Sequence, residues 1–127
     1  MVELEAGKLQ MEHKNILKIY GVGRNNLIDQ GNDLGERYFV VTEVCENGEL
    51  FEFVISTGGF SEEVTRKVFA QIAESVYYLH KKGCAHRDIK LENIFLDENC
   101  VPKLADFGLM KRFSGAGGKL LETALGT

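Results

Sequence analysis

The chain has 127 residues, 44% of them apolar and 27% charged, which is the profile of a globular protein and excludes a disordered or collagen-like one. Fifteen Lys and Arg against 19 Asp and Glu leave a net charge of −4, and with no basic stripe a nucleic-acid partner is not expected. No apolar run approaches the ~20 residues of a membrane span. The first residues carry neither a basic region nor an apolar core, and three cysteines cannot all pair with one another, so the expected setting is the cytosol, with the nucleus as the alternative.

In chain order, Leu4, Leu9 and Met11 among good helix formers predict a piece of helix over 3–12. Residues 16–20 are strand-like. The stretch from Gly21 to Gly35, rich in Gly, Asn and Asp, reads as a loop leading to a second strand, Tyr38 to Thr42, antiparallel to the first. Gly21-Val22-Gly23 invites a dinucleotide-loop reading, but Asn26 occupies the next expected glycine position and no helix follows, so a plain turn is expected. The clearest helix starts after Ser61, a good N-cap, with Glu62 and Glu63 at the positive end of its dipole, and ends at Lys81-Lys82-Gly83. Val64, Val68, Phe69, Ile72, Val76 and Leu79 recur at near-3.6 spacing and predict one wide stripe packed into a core. His80 reads as structural. Ile94-Phe95-Leu96 and Val101-Pro102-Lys103-Leu104, around Asp97 and Asn99, predict a small hairpin.

After the long helix, His86-Arg87-Asp88-Ile89-Lys90-Leu91-Glu92-Asn93 gathers a carboxylate, two cations and an amide in one loop. Phosphoryl transfer needs a carboxylate to orient the attacking hydroxyl, a cation near the moving group and metal ions on the phosphates, and these residue types supply each part. The ordered set is helix, His-Arg-Asp, Asn five positions after the Asp, hairpin, then Asp106-Phe107-Gly108 eighteen positions after Asp88. With this set the chain resembles a eukaryotic protein kinase along essentially its whole length.

The resemblance implies an α+β, protein-kinase-like fold, present in part: residues 1–42 as the remnant of the small lobe, 43–49 as the hinge, and 50–127 as the start of the large lobe through the activation loop. It implies ATP and Mg2+ as cofactors and protein substrates bearing Ser or Thr. Asp88 is then the catalytic-loop aspartate that receives or orients the hydroxyl proton, Lys90 stabilises charge on the transferring phosphoryl group, and Asn93 and Asp106 hold magnesium through oxygen ligands. His86 and Phe107 take packing roles. Lys90, two places after Asp88, marks the serine/threonine type. Thr42 matches the gatekeeper, the backbone carbonyl of Glu43 and the backbone groups of Cys45 meet the adenine edge, and the Glu49 carboxylate reaches the ribose or a basic substrate residue. Cys45 has a competing reading as a small buried hydrophobe, and Cys84 reads as buried filler.

Gly48-Glu49-Leu50-Phe51, Ala70-Gln71-Ile72 and Tyr78-Leu79-His80 most resemble the calcium/calmodulin-dependent-kinase-like group. His13-Lys14-Asn15-Ile16 resembles the stretch after the regulatory helix, whose glutamate is then Glu5, with Glu3 as the other candidate. Arg87, read as an unpaired guanidinium, suits control by activation-loop phosphorylation. Thr123 is the expected phosphosite, acted on by an upstream kinase, with Ser114 as its rival, and Thr127 matches the family threonine near Asp88 and Lys90.

The family places a Gly-rich loop and a phosphate-pairing lysine before this window and an Ala-Pro-Glu anchor after it, and neither part is in the chain. The expectation is an internal fragment of a Ser/Thr kinase domain whose long helix exposes part of its apolar surface and whose isolated 127 residues do not transfer phosphate. A truncated non-catalytic module that binds a partner or, weakly, a nucleotide is the alternative, and an unrelated α+β binding protein with accidental motifs is the third reading.

Overall fold

The structure, a computed structural model, describes residues 11–113. All but Met11 and Glu12 of the helix expected over 3–12 lie outside the described residues. The described chain is α+β: a long antiparallel ribbon, two helices, and short strand pairs that hold the connecting loops against the second helix.

Strands β1 (Ile19–Asp29) and β2 (Asn32–Thr42) form the ribbon, in a register that pairs Arg24 with Tyr38 and Asp29 with Asn32. The antiparallel pairing is as expected, but the residues from Gly21 to Gly35 are strand rather than loop, and Gly21-Val22-Gly23 is not a turn. The turn is instead Gln30-Gly31, where both residues have positive φ (48° and 84°). A two-residue hairpin needs this mirror-image geometry to match the twist of its strands. Pairing of the two backbones, rather than strand propensity, is what extends the Gly- and Asn-rich sequence. Gly23 also has a packing reason: the Phe39 ring lies across it, 2.3 Å from where a Cβ would stand.

Helix α1 (Leu50–Thr57) ends at Gly58, whose φ of 72° gives the left-handed C-cap that glycine adopts most cheaply. Helix α2 (Glu62–Lys81) begins as the sequence predicts, with the Ser61 side chain accepting the Val64 N–H, and ends at Lys82 before Gly83. Its stripe is only partly covered. Ile72 and Leu79 are buried and Val68 and Val76 pack against them, whereas Val64 is exposed and Phe69 stands 72% exposed. Periodicity alone could not tell which end of the stripe meets a neighbour. His80 is exposed and meets Phe113 edge-on.

Beyond α2 come β3 (Cys84–Ala85), a 3-10 turn (Leu91–Asn93), β4 (Ile94–Leu96), β5 (Pro102–Leu104) and β6 (Lys111–Arg112). The predicted β4–β5 hairpin is present, pairing Phe95 with Lys103, while β3 pairs with β6. Leu79, Cys84 and Leu104 are 0% exposed and, with Ile16, Ile94, Leu96 and Phe107, make the core. Cys84 is therefore buried, as its apolar surroundings predict. Asn15 stitches this core to the ribbon side: its carbonyl accepts Leu104 N–H, and its side-chain amide donates to Pro102 O and Gln71 Oε1. Among the described residues no helix is long and apolar enough to cross a membrane.

Candidate active site

The loop between β3 and the 3-10 turn is organised by His86, whose ring is buried. Nε2 lies 2.8 Å from the Ala105 carbonyl, which can only accept, so Nε2 carries the proton. Nδ1 is thereby left to accept Asp88 N–H at 3.2 Å. Burial pushes the imidazole below its ordinary value, outweighing the Ala105 carbonyl and the nearby Asp106 and Asp88 carboxylates that pull the other way. A neutral ring is also the only form that can serve both partners. Its face meets Phe107 at 5.2 Å between centroids in an edge arrangement, so His86 links Asp88 to the segment that carries Asp106.

Asp88 is buried, and Asn93 holds it: Nδ2 donates to the Asp88 carbonyl and to its Oδ2, both at 2.9 Å. Lys90 Nζ lies 3.3 Å from the same Oδ2. Asn93 is fixed in turn by its own N–H on the Lys90 carbonyl at 3.0 Å and by its carbonyl, which accepts Ala105 N–H at 2.8 Å. Asp88, Lys90 and Asn93 therefore form one cluster.

Arg87 and Asp106 both adopt positive φ, 69° and 55°, a strained setting for side-chain-bearing residues that costs of order 1–3 kcal/mol each and collects at functional sites. The Arg87 Nε donates to the Leu109 carbonyl at 2.7 Å, so its guanidinium is engaged rather than unpaired. Asp106 is exposed, and its Oδ1 accepts Gly108 N–H at 3.2 Å, while Phe107 and Met110 are buried on either side of that turn.

Thr42, at the end of β2, shares a cavity of about 370 Å³ with Asp106, Phe107, Ala105, Phe95 and Val40. The next residues are held by local bonds: the Thr42 hydroxyl donates to the Glu43 carbonyl at 3.1 Å, the Cys45 carbonyl accepts Gly48 N–H, and Glu49 is the N-cap residue of α1, with no side-chain cap. Burial, then the Glu43 carboxylate, push the Cys45 thiol up, which disfavours the nucleophilic thiolate. A larger groove of about 430 Å³ lies between α1 and α2, lined by Leu50, Val54, Phe60, Val68, Phe69 and Leu91. Its lining is mainly apolar, with Thr65 and Lys90 as the polar side chains.

The donor set fits magnesium. With Nδ2 on Asp88, the Asn93 amide has its carbonyl oxygen as the remaining acceptor, and Asp106 supplies an exposed carboxylate. Magnesium takes oxygen ligands and completes its shell with phosphate oxygens and water, so a small protein share suffices; among the described residues no three His, Cys, Asp or Glu side chains cluster. Glu5, Glu3, Ser114, Thr123 and Thr127 lie outside the described residues.

Residues 2–127 match the protein kinase domain family. The chain belongs to the protein kinase family. It is 38% identical over 117 residues to human NUAK family SNF1-like kinase 1 (92% of this chain, 16% of that protein). It is 36% identical over 126 residues both to zebrafish maternal embryonic leucine zipper kinase (99% of this chain, 17% of that protein) and to Serine/threonine-protein kinase chk1 of Schizosaccharomyces pombe (98% and 24%). The chain thus spans less than a quarter of the length of these curated relatives. The family is one of enzymes that generally use ATP and Mg2+. Beside the site the Glu43 carboxylate accepts Lys103 Nζ at 3.1 Å, an ion pair that sequence reasoning missed. Sixty residues separate them, and no local pattern signals their meeting.

Proposed function

We propose that this segment serves an ATP-dependent protein serine/threonine kinase, transferring the γ-phosphoryl group of ATP to hydroxyls of protein substrates. The observation that carries the reading is the cluster of Asp88, Lys90 and Asn93, tied through Asn93 and His86 to the backbone of Ala105, next to Asp106. In this reading the chain divides at 43–49, with the ribbon on one side and the helices on the other, and the cavity between Thr42 and Asp106 belongs to the nucleotide.

The substrate hydroxyl oxygen attacks the γ-phosphorus while the bond to the departing ADP oxygen breaks, and the hydroxyl proton passes to the Asp88 carboxylate. Asn93 and His86 aim that carboxylate by fixing the Asp88 backbone and Oδ2. Lys90, 3.3 Å from Oδ2, is placed to share its charge with the transferring group. Asn93 and Asp106 would hold magnesium, which would supply neutralisation of the phosphate charge. The backbones of Glu43 and Cys45 recognise the base, Glu49 the sugar or a basic substrate residue, and Thr123 is the site at which an upstream kinase acts. The test is Asp88→Asn in the full gene product, assayed with Mg-ATP and Ser/Thr peptides: phosphate incorporation falls about 10²–10⁴-fold while nucleotide binding is kept. Undiminished incorporation refutes the assignment.

A further inference from the structure

Glu43 stands directly after Thr42, and its carboxylate collects three hydrogen bonds. Oε1 accepts Lys18 N–H at 2.7 Å and Lys103 Nζ at 3.1 Å, and Oε2 accepts the same ammonium at 3.1 Å. The backbone agrees, since Glu43 N–H donates to the Lys18 carbonyl at 3.0 Å. The Lys103 and Glu43 side chains are only 13% and 19% exposed, whereas every other ion pair described outside the Asp88 loop is more than half exposed. Exposed pairs contribute little, but a sheltered one leaves a stranded charge when either member is removed.

The pair also joins two parts of the site that are far apart in sequence. In the kinase reading the Glu43 backbone meets the base through its carbonyl, one lone pair of which accepts the Thr42 hydroxyl at 3.1 Å while the other is left for the base. Lys103 lies in β5, three residues before Asp106, on a strand locked to residues 15 and 17 by Leu104 N–H on the Asn15 carbonyl and Leu17 N–H on the Leu104 carbonyl, both at 2.9 Å. A backbone carbonyl distinguishes bases by what faces it: it accepts from the exocyclic amine of adenine and repels the carbonyl of guanine. That discrimination holds only while the carbonyl stays in register, because a small displacement lets water or a shifted base relieve the repulsion.

We propose that the Glu43–Lys103 ion pair is a positioning element that fixes the Glu43 carbonyl against the strand leading to Asp106 and thereby sets the preference for adenine over guanine nucleotides. This rests on the kinase reading given above. Lys103→Met keeps the aliphatic stem and removes the charge. Glu43→Gln keeps an acceptor for Lys18 N–H and serves where the first variant folds poorly. In the full gene product, with Mg-ATP and Mg-GTP competing against a fluorescent ATP analogue, each variant weakens ATP binding about tenfold, the factor that ~1.4 kcal/mol of lost positioning gives. GTP binding changes less than about twofold, so the ATP-to-GTP ratio collapses. The exchanged double variant, Glu43→Lys with Lys103→Glu, recovers most of the ratio. An unchanged ratio, whether ATP binding is intact or both nucleotides weaken together as a purely structural defect requires, overturns the proposal. Wild-type protein that binds neither nucleotide overturns the kinase reading itself, and the positioning role falls with it.

Discussion

Acid weakens this fold through His86, and the effect has a sign and a ceiling. Burial lowers the ring's pKa below its ordinary 6.5, so between the folded and unfolded values the unfolded chain binds a proton that the folded one refuses. Stability contributed by the neutral ring is therefore complete above about pH 6.5 and is lost as pH falls through the folded value. One proton sets the slope: at most about 1.4 kcal/mol is lost per pH unit inside that window. Protonation also breaks a specific bond, because Nδ1 then carries a hydrogen and can no longer accept Asp88 N–H. His86→Phe removes the titration but leaves Asp88 N–H and the Ala105 carbonyl without their ring partner, a baseline cost of roughly 1–3 kcal/mol for each group. The comparison is therefore of slopes and not of levels. Urea unfolding followed from pH 7.5 to 5 measures both, with the wild type steeper than the variant below pH 6.5 by up to that one-proton slope. Equal slopes, or a wild type that gains stability on acidification, refute the reasoning.

Two further outcomes follow from the packing. Leu79→Ala, at a fully buried position of α2, costs about 2–5 kcal/mol in urea unfolding, and a loss below 1 kcal/mol contradicts the core described for α2. Ser61→Ala removes the side chain that accepts Val64 N–H and costs about 1 kcal/mol, while Ser61→Asp retains the cap and lies within a few tenths of the wild type by the same measurement.

What was legible in the sequence was local. The limits of α2 followed from Ser61 and Gly83, and the β4–β5 hairpin from turn residues between two apolar runs, because each signal sits within a few residues of the structure it specifies. The order of Asp88, Asn93 and Asp106 was likewise readable as spacing. The ribbon was not, since its extension depends on one strand pairing with the other and the turn that enables this, Gln30-Gly31, stands among other Gly and Asn residues that read equally well as loop. The exposed end of the α2 stripe at Phe69 and the Glu43–Lys103 pair were hidden for the same reason: both depend on elements distant in sequence.

The β4–β5 hairpin also works as a caliper. Asn93 immediately precedes its first strand and Asp106 follows its second by one intervening residue, so two three-residue arms fold a sequence gap of thirteen positions back on itself. Ala105 N–H on the Asn93 carbonyl closes the jaws. Length is therefore less constrained at the tip than in the arms. A change of length at the tip, around Asp97 to Cys100, leaves the two oxygen-bearing side chains in place and disturbs local bonds such as Asn47 Nδ2 on the Asp97 carbonyl at 2.7 Å, whereas one residue inserted in either arm turns every side chain beyond it to the opposite face. Natural and engineered variation in this chain should collect at the tip and be absent from the arms.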